Sequence, residues 1–80
     1  MESTLDKLNA GQSGLVTAIV GDGGTLSRLM EMGLVSGTKV KMERVSPFGC
    51  PLAVRIKGTS VAIRKQDAMN VSLVLEPQAA

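Results

Sequence analysis

Histidine, tryptophan and tyrosine are absent from the 80 residues, and phenylalanine and cysteine occur once each, as Phe48 and Cys50. Without histidine, no Ser/His/Asp or Cys/His nucleophilic set can be assembled, and the commonest transition-metal ligand is missing. The seven carboxylates are scattered without the spacing of a metal site, and no close acidic pair offers general acid and base roles. The residues therefore provide no catalytic group, no cofactor site and no metal site. A single thiol cannot form an internal disulfide, and the polar start Met1 to Gln12, with Glu2 and Asp6, is unlike a secretory signal. The expected compartment is a reducing cytoplasm. The longest apolar stretches, such as Val61 to Ile63 and Leu73 to Leu75, fall far short of the ~20 residues of a membrane-spanning helix.

A chain of this length holds one hydrophobic core, and with one aromatic that core must be built from Val, Ile, Leu, Met and Ala. The expectation is a single domain over residues 1–80, with its core at about 8–75 and loose ends at 1–7 and 77–80. Leu15 to Val20, between Gly14 and Gly21, is rich in Val and Ile and reads as a first strand, apolar enough to be buried on both faces. Gly21 to Gly24 breaks it. Leu26, Leu29 and Met30 then recur at i, i+3 and i+4, which predicts a short helix near Thr25 to Gly33 with those three on its buried stripe. Gly33 supplies a left-handed end, with Leu34 folding back on Leu29. The stretch Gly21-Asp22-Gly23-Gly24-Thr25 lacks the spacing and the Lys of a phosphate-binding loop, so it reads as a strand-to-helix turn.

Beyond Ser36-Gly37 the period changes to two. Val40 and Met42 alternate with Lys39, Lys41 and Glu43; Leu52, Val54 and Ile56 alternate with Ala53, Arg55 and Lys57; Val61 and Ile63 alternate with Ser60, Ala62 and Arg64. A Gly-first turn at Gly58-Thr59 would pair Ile56 with Val61 and Val54 with Ile63. Lys65 to Asn70 fits one helical turn, and Val71, Leu73 and Leu75 fit a last strand. About five short strands with one helix inserted after the first imply a mainly β fold, a small closed or partly open barrel.

Ser27-Arg28-Leu29-Met30-Glu31-Met32-Gly33-Leu34-Val35-Ser36-Gly37-Thr38-Lys39-Val40, then Pro47-Phe48-Gly49-Cys50-Pro51 and Val54-Arg55-Ile56-Lys57-Gly58, resemble the FeoA family, ferrous iron transport protein A. The resemblance runs over roughly Leu8 to Leu75. It implies an SH3-like barrel with a helical insert that serves as a small cytoplasmic companion of FeoB, a membrane permease for ferrous iron with a GTP-binding domain. In the loop where the family often has a small or acidic residue, this chain has Cys50. A similar module ends the iron-dependent repressors, but 80 residues leave no room for their DNA-binding and metal-binding domains, so a free-standing protein is expected.

The net charge is +2, unevenly placed. Lys39, Lys41, Arg44, Arg55, Lys57, Arg64 and Lys65 crowd the middle of the chain against the single acid Glu43, while both flanks are net acidic. Lys39, Lys41, Arg55, Lys57 and Arg64 on the polar faces of neighbouring strands would form a basic outer sheet that attracts an acidic partner, or merely solvate the strands and guard their edges. Arg28, Glu31 and Met32 lie off the helix stripe and offer a second surface. Phe48, between two prolines, is either a projecting aromatic or a core plug. Met30, Met32 and Met42 read as core fillers and Cys50 as a loop-packing residue. These positions support an accessory protein docking on a FeoB-type permease. The alternative is a small-barrel nucleic-acid-binding or transcription-regulator module. The lack of aromatic stacking platforms argues against nucleic acid. Self-association is left open by the residues.

Overall fold

The computed structural model describes residues 2–76; Met1 and the tail at 77–80, expected to be loose, lie outside the described residues. Strands β1 (Glu2–Thr4), β2 (Ser13–Ile19), β3 (Lys39–Val45), β4 (Leu52–Ile56), β5 (Thr59–Ile63) and β6 (Val71–Leu75) form one antiparallel sheet in the order β1-β6-β2-β3-β4-β5. A 3₁₀ turn (Leu5–Lys7) follows β1, helix α1 (Gly23–Glu31) follows β2, and the four-residue helix α2 (Lys65–Ala68) joins β5 to β6. The sheet is open, with β1 and β5 as its edges. The register shifts between Val16 and Ala18 and again between Met42 and Arg44, leaving Thr17 and Glu43 as extra residues. Such bulges bend and twist a sheet, so six short strands can curl over one core.

The alternating residues face as their period requires. Val40, Met42, Leu52, Val54, Ile56 and Ile63 are buried, with Lys39, Lys41, Arg55 and Lys57 on the other side. The first strand departs from expectation. Only Gly14 and Val16 of β2 are buried, while Leu15, Thr17, Ala18 and Val20 just beyond the strand are exposed, so it is covered on one face. The reason is architectural. One layer of sheet with only short helical segments has no second layer to cover the outer face.

The start of the chain is also more ordered than its polarity suggests. Ser3 pairs with Leu73, and Leu5 and Leu8 are buried in the same cluster as Val71 and Leu73. Three residues are too short to display a period; the two leucines anchor the segment. For residues 2–7 the expectation of a loose end is therefore corrected.

The hairpin of β4 and β5 keeps its faces but not its turn. Ile56 pairs with Thr59, Val54 with Val61 and Leu52 with Ile63, so the loop is Lys57-Gly58, with φ of 51° and 82°. A two-residue turn of this type needs positive φ at both positions. β-branched Thr59 resists that conformation more than Lys57 does. The displacement is by two residues, which preserves inward and outward faces.

Helix α1 begins where the Asp22 carboxylate accepts the Thr25 backbone N–H at 2.8 Å. That bond is the main reason the Asp22 pKa is lowered, with the Thr25 hydroxyl contributing next. The helix ends in a paired cap: Gly33 N–H donates to the Met30 carbonyl (3.0 Å) and Leu34 N–H to the Leu29 carbonyl (3.1 Å), with Gly33 at φ 97°. Leu29 and Leu34 are fully buried. The two neighbouring methionines exchange their expected places. Met30 is 55% exposed, whereas Met32 packs against the core. Met32 keeps helical backbone angles three residues on from buried Leu29, so either flank of Leu29 was open to burial, and the seating of the helix on the sheet buries the Met32 flank rather than the Met30 one.

Candidate functional site

Of the three expected surfaces, one lies on the sheet, one on the loop between β3 and β4 and one on the helix. On the outer face, Ser13 pairs with Lys41, Lys41 with Arg55, and Arg55 with Ser60, a polar row across four strands. Lys39, Lys41, Arg55 and Lys57 line a groove of about 680 Å³ whose other wall is Ser36-Gly37-Thr38. That wall is fastened to β2: Gly37 N–H donates to the Val16 carbonyl at 2.7 Å, Val16 N–H to the Thr38 carbonyl at 2.9 Å, and the Ser36 hydroxyl to the carbonyl of the bulged Thr17 at 3.3 Å. Ser36-Gly37-Thr38 stand in the sequence as part of the family motif and as a break between helix and strand, with no sign of a groove wall, and Ser13 carries no signal of its own.

The groove's cations are unequal. Arg55 meets the Glu43 carboxylate at 2.8 Å and also donates to the Gly58 carbonyl at 2.9 Å. Lys39 pairs with Glu76 at 3.3 Å. Among the described residues Lys41 and Lys57 make no ion pair. The Ser60 hydroxyl and then Arg55 hold the Glu43 carboxyl below its ordinary pKa, so this one acid stays charged beside the groove. Like charges directly opposite on paired strands, as with Lys41 and Arg55, disfavour the sheet. Glu43 offsets part of that cost, and an anionic ligand would offset the rest.

Arg64 does not join this groove. β5 ends at Ile63, and Arg64 precedes α2 at the opposite end of the strands, beside the Phe48 loop. Phe48 is 95% exposed, which settles the choice between core plug and projecting aromatic. Cys50 ties that loop to α2, its Sγ accepting the Lys65 backbone N–H at 3.5 Å. On the helix, Glu31 is exposed and Met32 half-buried. Arg28 is tethered to Asp67 of α2 at 3.1 Å, an ion pair whose acid is buried and whose cation is 47% exposed. It holds the two helices together and remains half available.

An open antiparallel sheet with one capped helix and a cationic groove defines a small module of the β class. The family model for the FeoA domain matches residues 3–75, and the chain belongs to that family. It is 28% identical over 71 residues to an Fe(2+) transport protein A/Fe(2+) transporter FeoB fusion protein of Porphyromonas gingivalis, covering 89% of this chain and 8% of that protein. The crystal structure of an iron uptake regulatory protein, FeoA, superposes with a TM-score of 0.89 at 28% identity, covering 95% of this chain and all of the other. FeoA of Stenotrophomonas maltophilia, a procaryotic SH3 domain protein crystallised with zinc, gives a TM-score of 0.75 at 31% identity over 92% of this chain and 89% of its own. The fold is thus SH3-like, the setting of the family is ferrous iron transport, and the family is one of small accessory domains, not of enzymes. No helix of the described residues is long and apolar enough to cross a membrane.

Proposed function

We propose that this chain is a cytoplasmic accessory protein of ferrous iron uptake that docks on a FeoB-type GTP-binding permease and modulates or assembles it. The observation that carries the reading is the Porphyromonas gingivalis relative, in which a domain similar to this chain is covalently joined to an Fe(2+) transporter. Fusion makes sense for modules that work in contact, since a linker raises the effective concentration of one at the other. The chain spans only a small part of that relative, so the docking face is argued from the chain itself. The groove between Ser36-Gly37-Thr38 and the β3-β4 face presents Lys41 and Lys57 free of ion pairs among the described residues, and it suits an acidic segment of the permease.

The test is co-purification of the tagged chain with the detergent-solubilised permease. Wild type should be retained, and the double variant Lys41→Glu/Lys57→Glu should be retained less and with a shallower dependence on salt. Equal retention of the double variant removes the groove from the docking face. No retention of wild type, together with unchanged Fe(II) uptake in cells lacking the protein, refutes docking itself.

A further inference from the structure

We infer that the Phe48 loop is a membrane-contacting tip, inserting its aromatic ring into the interface of a bilayer that carries anionic lipid. The inference stands apart from the groove, which lies at the other end of β3 and β4.

Ser46 to Gly49 forms a tight turn: Gly49 N–H donates to the Ser46 carbonyl at 2.8 Å and Phe48 N–H to the Ser46 hydroxyl at 3.4 Å. Pro47 holds the second position of that turn, where its fixed φ fits. The turn lifts the chain's sole aromatic into solvent, 95% exposed, with Val45 behind it at 42%. A side chain that makes so few contacts adds nothing to the fold, and its full apolar area is available to another phase.

Three cations lie on the segments at the base of the tip. Arg44 lines a hollow with Pro47 and Pro51, Lys65 is joined to Cys50 through its backbone, and Arg64 lies between Lys65 and Ile63, the partner of Leu52. All three are exposed, and none makes an ion pair among the described residues. The acids nearest to them in sequence are engaged elsewhere, Glu43 by Arg55 and Ser60 and the buried Asp67 by Arg28.

A convex apolar point with unpaired cations on the segments beside it matches a lipid surface better than a protein pocket. A protein interface needs a broad, complementary contact area, whereas the bilayer interface has no fixed shape and accepts a single ring at the acyl boundary with cations among the headgroups. Apolar insertion and basic attraction are each weak alone; together they give reversible anchoring.

The experiment exploits the absence of tryptophan and tyrosine. Phe48→Trp places one fluorophore at the tip, and exposure at that site keeps the fold unaffected, which circular dichroism checks. Vesicles of mixed phosphatidylcholine and phosphatidylglycerol should shift its emission to the blue, and sedimentation should show binding of wild-type chain to the same vesicles. Phe48→Asp should abolish that binding. Arg64→Gln should weaken it about fivefold, the equivalent of the ~1 kcal/mol typical of one cation at an anionic surface. An unshifted emission overturns the inference, as does an equal shift with phosphatidylcholine alone. A shift that appears with solubilised permease but not with vesicles also overturns it and assigns the tip to a protein pocket.

Discussion

Replacing Gly33 by alanine is expected to damage the join between helix and sheet in a way that two other glycines calibrate. Gly33 sits at φ 97°, and a Cβ built there would lie 3.2 Å from Cγ2 of the buried Ile56, its one neighbour within 4 Å. The left-handed conformation costs an L-residue about 1–2 kcal/mol, and shifting Ile56 by a few tenths of an ångström adds about 1 kcal/mol at the low end of overpacking. Reduced freedom of the unfolded chain returns about 0.5 kcal/mol, leaving a net loss of about 2 kcal/mol, or roughly 8–16 °C in Tm for a domain of this size. Gly37 has φ 91° but nothing within 4 Å of a Cβ, so Gly37→Ala isolates the backbone term. It should lose about 1 kcal/mol, half as much in Tm. Gly23 opens α1 at an ordinary φ in open space, so Gly23→Ala should melt at or slightly above wild type. The assay is thermal unfolding by circular dichroism for the three variants side by side. A Gly33→Ala protein melting within about 2 °C of wild type would refute the paired cap as the helix stop. Equal losses for Gly33→Ala and Gly37→Ala would remove the contact with Ile56 from the account.

The helix start and the exchanged methionines give two further tests. Because folding lowers the Asp22 pKa, the carboxylate's contribution is present above the unfolded value and is lost as pH falls through the folded one. Asp22→Ala should therefore lower Tm at neutral pH, with a gap from wild type that closes in acid, while Asp22→Asn retains the cap and titrates less. Met30→Ala, on the exposed side, should change stability by less than about 0.5 kcal/mol. Met32→Ala, packed on the core, should lose about 2 kcal/mol, the low end for buried methionine, by denaturant titration.

Legibility followed the reach of the determining forces. The helix stop at Gly33 and the faces of β3 to β6 depend on neighbours within a few residues, so spacing alone revealed them, whereas the helix starts at Gly23, two residues before the expected Thr25, because Asp22 caps it. Of the site, the four cations Lys39, Lys41, Arg55 and Lys57 were visible from their alternation with buried apolar residues. Their confinement to one groove was not, because its far wall, Ser36-Gly37-Thr38, is placed by bonds to β2 residues some 20 positions earlier in the chain. Arg64 shares the alternating pattern yet lies outside the groove because it falls at the end of β5 away from the Lys57-Gly58 turn that borders it.

The sequence by itself determined the class of fold, the inward residues of the strands, the Gly33 end of α1 and the family, since each rests on local period, backbone preference or an unbroken motif. Tertiary structure alone decided that Glu2 to Thr4 is a strand, that Lys57-Gly58 makes the turn, that Met32 and not Met30 is inside, and that Phe48 is free. Each of those depends on which distant segment supplies or withholds a partner. Composition, period and spacing do not carry that information.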